Sequence, residues 1–266
     1  MKTPRVIYYK DELNDDFSQD IPNEKPISKN YVYYSSNPFW QIKHFFWNKI
    51  VAYPVSILHA KFKFHWKVEN KQVLKLAKHK SYFIYGNHTQ QFFDASMPKK
   101  LSPFHESYVM VNHVNLNIKG IGWLVKRLGA LPVPTNVAES KKFISAIDTL
   151  VKHKKSILIY PEAHIWPYYT KIRPFVSTSF RYPVKYDVPA FCFTNTYQKT
   201  KNPKKVKIVT YVDGPFYPNL DLPAKEQIQD LRDRIYSTMV ERSKNSNVEL
   251  IKYEKIDDSK KENTND

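Results

Sequence analysis

The sequence predicts an α/β fold, a mixed, mostly parallel sheet flanked by helices, and three observations carry that prediction. Ser81-Tyr82-Phe83-Ile84-Tyr85-Gly86 has the aromatic and β-branched content of a buried strand, and Gly86 ends it. Ser156-Ile157-Leu158-Ile159-Tyr160 is a second such run, punctuated by Pro161. Between the two, Phe143, Ile147 and Leu150 recur at spacings of four and three, the stripe of a helix with one buried face.

Taken from the N-terminus, residues 1–30 are polar, acidic and Pro-containing, which predicts an irregular arm. The character changes at Tyr31, and residues 38–53 are aromatic and basic. They are too interrupted for a spanning helix, which needs about 20 apolar residues. A helix there has apolar residues around most of its circumference, and Trp and Tyr beside Lys favour a headgroup layer. Packing against the domain core is the competing reading, and both can hold for different faces. Residues 61–68 alternate, with Phe62, Phe64, Trp66 and Val68 facing one way, as in an edge strand protected by charge. Residues 107–111 read as a strand. Residues 120–128 read as a helix capped by Gly129. Asn136-Val137-Ala138-Glu139 resembles a capping box opening the helix that runs to about His153. Strands over 190–194 and 206–212 complete the sheet, and residues 227–241 read as a surface helix. The predicted organisation is therefore an arm (1–30), an aromatic-basic membrane-surface segment (31–60), a catalytic domain (61–248) and a frayed tail (249–266).

Charge is unevenly placed. The net charge is +17, yet residues 1–30 hold five basic and six acidic side chains and residues 249–266 four and six. The whole excess, +20, sits on residues 31–248. A body this positive prefers an anionic membrane surface or nucleic acid. No recognised nucleic-acid module appears, and the basic residues are interleaved with Trp and Phe, which argues against nucleic acid. Cys192, the only cysteine, sits in an apolar strand and excludes an internal disulfide or cysteine metal cluster. No His/Asp/Glu cluster has zinc or magnesium spacing, so no metal is expected. The start, Met1-Lys2-Thr3-Pro4-Arg5, lacks a charged-then-apolar signal and predicts an intracellular chain.

The chemistry concentrates at the two strand ends. Asn87-His88 follows Gly86, and Asp94 comes six positions after His88. Imidazole can take a proton from an alcohol, while an adjacent carboxylate fixes its tautomer and stabilises the imidazolium. Pro161-Glu162-Ala163-His164 ends the second strand. Trp166, Tyr168 and Tyr169 could line an apolar groove, although core packing explains them equally well.

In this order the motifs resemble the glycerophospholipid acyltransferase family. They are Asn87-His88 to Asp94, Gly129-Ala130-Leu131-Pro132-Val133-Pro134, Tyr160-Pro161-Glu162 and Val188-Pro189-Ala190. The resemblance covers roughly residues 60–215. The His–Asp spacing is one residue longer than the family's, Ile165 stands in the slot of an Arg that faces the substrate phosphate, and Thr135 falls near the place of a second Arg. The extra residue must be absorbed in the turn after Gly86. His88 is then expected in a loop, with the helix beginning at about Gln90 or Gln91 and Asp94 reaching back.

The resemblance implies His88 as base, Asp94 as its orienting partner, and Glu162 near the acceptor's hydroxyls. With Ile165 in the Arg slot, Lys171 and Arg173 become the candidate phosphate ligands, with Arg181 a third. It implies no cofactor, an acyl-CoA or acyl-carrier protein as co-substrate, a lysophosphatidate-like acceptor, and peripheral attachment at the cytoplasmic face of a membrane. A non-phosphate glycolipid acceptor and a basic lipid- or nucleic-acid-binding protein without catalysis are the alternatives.

Overall fold

A computed structural model of the chain describes residues 4–18, 26–28, 30–55, 58, 65–90, 94, 97–102, 105–120, 122–202 and 205–256. The segment 61–64, half of the predicted alternating strand, lies outside the described residues.

The strands of the main sheet are β2 (Lys67–Glu69), β3 (Tyr82–Gly86), β4 (Ser107–Val111), β5 (Ala130–Pro132), β6 (Ser156–Ile159), β7 (Ala190–Lys199) and β8 (Val206–Phe216). They lie in the order β2-β8-β7-β3-β6-β4-β5. The β7–β8 pair is antiparallel and every other pair parallel, the mixed, mostly parallel sheet expected.

Alternation along the strands divides the core into two layers, because successive side chains point to opposite faces. Phe83, Tyr85, Ile157, Ile159 and Cys192 enter one layer, and Tyr82, Ile84, Leu158, Phe191 and Phe193 the other. The first is covered by α4 (Val137–Lys152), α5 (Arg181–Tyr186) and α6 (Ala224–Ser243). Phe143, Ile147 and Leu150 of α4 are buried there as their spacing predicts. Leu231, Ile235 and Met239 make α6 a core helix as well as a surface one. The second layer is covered by α2 (Met97–Leu101) and the 3-10 turns of Lys71–Ala77, with Trp66 beside them.

Local chemistry explains the helix ends. Asn136 caps α4 by accepting the Glu139 N–H (2.9 Å), while Glu139 reaches back to the Thr135 N–H (2.8 Å), one residue short of a reciprocal box. The helix α3 (Gly122–Arg127) gives way to Gly129 at φ +87°, the left-handed conformation glycine adopts without strain.

Two sequence expectations need correction. Residues 5–9 of the arm and 251–255 of the tail are not irregular: β1 (Arg5–Tyr9) pairs in parallel with β9 (Ile251–Lys255), from Arg5 opposite Ile251 to Tyr9 opposite Lys255. Arg5–Tyr9 has β-forming residues in Val6, Ile7, Tyr8 and Tyr9, but both segments are short and neither names the other as its partner. The pairing exists because Tyr9 and Tyr253 both pack on buried Trp166, at ring-centroid distances of 4.7 and 4.8 Å.

The aromatic-basic segment begins as α1 (Pro38–Phe45), capped by the Asn37 side chain on the Phe39 N–H (2.9 Å). It widens into π-helical turns over Phe46–Ala52, where the Asn48 amide donates to the His44 carbonyl (2.9 Å) and to Arg127 O (3.0 Å). Its inner face is polar and aromatic: His44 is sandwiched between Trp40 and Tyr108, and its Nε2 lies 3.3 Å from Glu106. Among the described residues no helix is long and apolar enough to cross a membrane.

Glu106 and its neighbour His105 set an acid limit on stability. Burial opposes the charge of Glu106, but hydrogen bonds from His44, Lys155 and Tyr108 hold its carboxyl down at about 2. Burial and the Lys155 charge push the His105 imidazole down to about 4. Unfolded, His105 binds its proton near pH 6.5 and Glu106 near 4.5, so in both windows the unfolded chain holds more protons. These two groups make stability fall as pH drops from about 6.5 to about 4 for His105, and from about 4.5 to about 2 for Glu106. His105→Phe keeps a ring against Tyr82, 4.8 Å away, and removes the first of these losses. Thermal melts at pH 7 and pH 4.5 should show a smaller drop in Tm for the variant than for the parent. An equal drop refutes the His105 contribution.

Candidate active site

The parallel strands β3, β6, β4 and β5 all end on the same side of the sheet, the usual place for a site in such folds. Gly86 closes β3 where no side chain fits, since a β-carbon there would overlap the Phe193 ring. The chain then leaves the sheet through Asn87, whose side chain pairs with the backbone of Asn195 in β7. Its Oδ1 accepts the Asn195 N–H (2.8 Å), and its Nδ2 donates to the Asn195 carbonyl (3.1 Å). At the start of the same strand, the Pro189 carbonyl accepts the Phe83 N–H (3.1 Å) just before β7 begins, so the Val188-Pro189-Ala190 motif registers β7 against β3.

His88 follows in the loop, not in a helix. Its Nδ1 lies 2.6 Å from Asp94 Oδ2, and that oxygen also accepts the Gln90 N–H (3.0 Å). The Asp94 N–H bonds back to the Gln90 carbonyl (3.0 Å), so a single turn brings the carboxylate round. Despite the longer spacing, Asp94 reaches back to the His88 ring, the contact expected of the pair. Whether a helix starts at Gln90 or Gln91 falls on residues outside the described ones.

An ionised carboxylate only accepts, so the proton of a neutral His88 sits on Nδ1 and the lone pair on Nε2. Among the described residues Nε2 has no partner, and the side chain keeps 23% of its surface open. Tyr160 stacks on the imidazole with ring centroids 4.4 Å apart, and its hydroxyl donates to the Asp94 carbonyl (2.7 Å). Burial raises the Asp94 carboxyl above its usual range, with the His88 contact pulling the other way. Its Oδ1 is buried with no hydrogen-bond partner among the described residues. His88 and the Gln90 N–H, both on Oδ2, are the main stabilisers of its charge. Such a pair can accept a proton at Nε2 and share the resulting charge.

Glu162 is buried behind this pair rather than open to a ligand. Its Oε2 accepts the His88 N–H (2.9 Å) and its Oε1 the Arg173 N–H (3.0 Å), while Arg173 Nη2 stands 3.8 Å from Oε2. Burial pushes its carboxyl upward, with Arg173 and the two N–H donors opposing.

Arg173, expected at an acceptor phosphate, is fully buried instead. Its guanidinium faces the carbonyls of Glu162 and His164 and stacks 5.0 Å from Trp166, so its charge serves the loop and not an incoming anion. Lys171 is exposed, two residues along the same segment, and Arg181 is exposed over Tyr182. Trp166 is fully buried and Tyr169 nearly so, which removes both from any groove; Tyr168 is half-buried. Among the described residues no group of three or more His, Cys, Asp or Glu side chains is placed to hold a metal ion.

Three contributions were not read from the sequence: the stacking of Tyr160, the Asn87–Asn195 pairing, and the grip of Tyr197 on the loop. Tyr197 donates to Thr89 Oγ1 (2.9 Å) and accepts from Gln90 Nε2 (2.7 Å). Tyr160 alone had a signal, its place directly before Pro161-Glu162.

Comparison with known proteins follows the geometry. The Acyltransferase family model matches residues 65–194, a stretch that holds His88, Asp94 and Glu162. No curated protein matches the chain significantly. Among solved structures, the 1-acyl-sn-glycerophosphate (LPA) acyltransferase PlsC from Thermotoga maritima shares the fold at a TM-score of 0.54 and 17% identity, over 78% of this chain and 88% of that one. Residues 65–194, just under half of the chain, are thus similar to the Acyltransferase family, and the fold is the one that PlsC shares.

Proposed function

We propose that this protein moves a fatty acyl group from an acyl thioester to the hydroxyl of a lysophosphatidate-like lysolipid. The observation that carries the reading is the 2.6 Å contact between His88 Nδ1 and Asp94, which leaves Nε2 open at the carboxyl ends of the parallel strands. His88 Nε2 takes the hydroxyl proton as the acceptor oxygen attacks the thioester carbonyl. The tetrahedral oxyanion collapses, the carbon–sulfur bond breaks, and the imidazolium returns the proton to the departing thiolate. Asp94 holds the ring and balances its charge while it is protonated. No nucleophilic side chain of the protein is needed, and Cys192, its thiol pushed well up by burial, stays in the core.

Acceptor identity has two candidates. Lys171 and Arg181 are the exposed candidates left for a phosphate now that Arg173 is buried, and Lys171 lies nearer to Glu162 in sequence. Burial of Arg173 and of Ile165 favours a second class, a lysolipid or glycolipid without a terminal phosphate. Purified protein assayed with acyl-CoA and with acyl-carrier protein against lysophosphatidate, lysolipids with larger headgroups and a non-phosphate glycolipid separates these. Preference for lysophosphatidate that Lys171→Ala lowers in affinity supports the first. Inactivity with every acceptor and both donors defeats the reading.

The acceptor is a lipid, and the surface supports attachment to its membrane. Phe39 (76% exposed) and Ile42 (64%) stand out on α1, joined by Phe45, Phe46 and Ile50, with Lys43 beside them. Trp40 and Trp47 are half-buried against His44 and the exposed Trp123, so Phe39 and Ile42 are the better probes of insertion. We expect sedimentation with anionic vesicles, weakened but not abolished by high salt, because salt screens lysine attraction and leaves apolar insertion intact. Phe39→Ser/Ile42→Ser should reduce it by about tenfold or more, since a fully buried side chain is worth about 1.5–3 kcal/mol and about 1.4 kcal/mol is tenfold. Binding lost entirely in salt and indifferent to this pair contradicts insertion.

A further inference from the structure

We propose that residues 9–17 form a strap that positions His88 through the 162–173 loop, with Asp16 and Tyr253 as positioning residues. The inference rests on the catalytic reading of His88 given above.

The loop grips the backbone on both sides of the catalytic ring. Glu162 accepts the His88 N–H, the Trp166 N–H donates to the His88 carbonyl (3.1 Å), and the Tyr168 N–H donates to the Thr89 carbonyl (3.0 Å). The loop has no strand or helix of its own between Pro161 and Arg173. Ala163 and Tyr168 both sit at φ +61°, a left-handed conformation that costs a residue with a side chain about 1–2 kcal/mol. Such a conformation persists only when its surroundings hold it.

The strap supplies that hold. Asp16 accepts the Ile165 N–H (3.3 Å) on Oδ1 and pairs with His164 Nδ1 (3.3 Å) on Oδ2. The Phe17 N–H donates to the Ile165 carbonyl (3.2 Å), and the Trp166 indole N–H to the Asp15 carbonyl (2.8 Å). From the tail, the Tyr253 hydroxyl donates to the Pro167 carbonyl (2.9 Å) and its ring stacks on Trp166.

The strap is itself stiff. The Asp15 carboxylate accepts the N–H groups of Lys10 and Asp11, and that of Asp11 accepts those of Leu13 and Asn14. The β1–β9 pairing anchors it, closing with the Ile256 N–H on the Tyr9 carbonyl (2.7 Å). Position is thus transmitted from strap to loop to the His88 peptide, while none of these strap bonds touches the imidazole.

The test is Asp16→Ala/Tyr253→Phe in the full chain, read by amide hydrogen exchange and by steady-state kinetics. Exchange at the His88, Trp166 and Tyr168 amides should quicken by about tenfold or more, while amides of β7 keep their protection. Turnover should fall about 10- to 100-fold with KM within about twofold, because a misplaced base costs rate and not ground-state binding. Asp16→Asn, which retains an acceptor for the Ile165 N–H, should stay closer to the parent in both. Unchanged exchange at the three amides overturns the strap, and so does quickened exchange with parental turnover. Tyr253→Phe alone, which keeps the ring on Trp166, provides the same exchange test if the double variant unfolds. An inactive parent protein would count against acyl transfer, whereas the exchange arm judges the strap by itself.

Discussion

His88→Ala is expected to lower turnover by at least about 10²-fold, the usual scale for loss of a general base, with the fold intact. The ring's own contacts are its stack on Tyr160 and its bond to Asp94, while the bonds that fix the peptide run through its backbone, which alanine retains. Asp94→Asn should cause a comparable loss for a different reason. The amide cannot balance an imidazolium, and it can present a donor to Nδ1 and so favour the wrong tautomer. The measurement is turnover with the best acceptor of the panel, alongside circular dichroism and a melting curve to establish folding. A folded His88→Ala protein within a few-fold of parental turnover excludes His88 as the base.

The pair at the centre of that experiment was legible because both partners follow closely on one strand end and share a local signature. The same holds for α4, whose cap and buried stripe are consecutive features of the chain. Legibility fails where the partner is remote. Nothing near Arg5 or Ile251 announces that they pair, because a two-stranded parallel ribbon is created by what both strands cover, here Trp166. Arg173 misled for a related reason: a lone cation in a polar, aromatic stretch reads as available. Its burial follows only from the loop folding back so that Glu162 and two carbonyls surround it. The aromatic-basic segment was read as a helix with apolar residues all round. Which of them face outward depends on His44 and Asn48 anchoring the inner side, a contact with residues about 60 and 80 positions away.

Glu162→Ala should be the most destabilising single change in the site, by about 3–5 kcal/mol, the scale on which one member of a buried ion pair is lost. Alanine would leave the Arg173 guanidinium buried without its countercharge and the N–H groups of His88 and Arg173 without an acceptor. Glu162→Gln separates the two functions of the carboxylate, since the amide oxygen can still accept an N–H while the charge is gone. If Glu162 acts as the brace its bonds describe, Glu162→Gln should lie between the parent and Glu162→Ala in denaturant midpoint. Adding Arg173→Met to Glu162→Gln should then recover stability, because removing both charges relieves the unpaired one. A carboxylate that instead serves to hold the acceptor's hydroxyls would behave otherwise. Glu162→Gln would then raise KM for the acceptor at unchanged stability, and Arg173→Met would add its cost independently. Urea titration of the parent, Glu162→Ala, Glu162→Gln, Arg173→Met and the double variant, with KM measured for each folded one, decides between brace and ligand. Losses that simply add in the double variant would rule out the brace, since the partners of a buried pair are coupled.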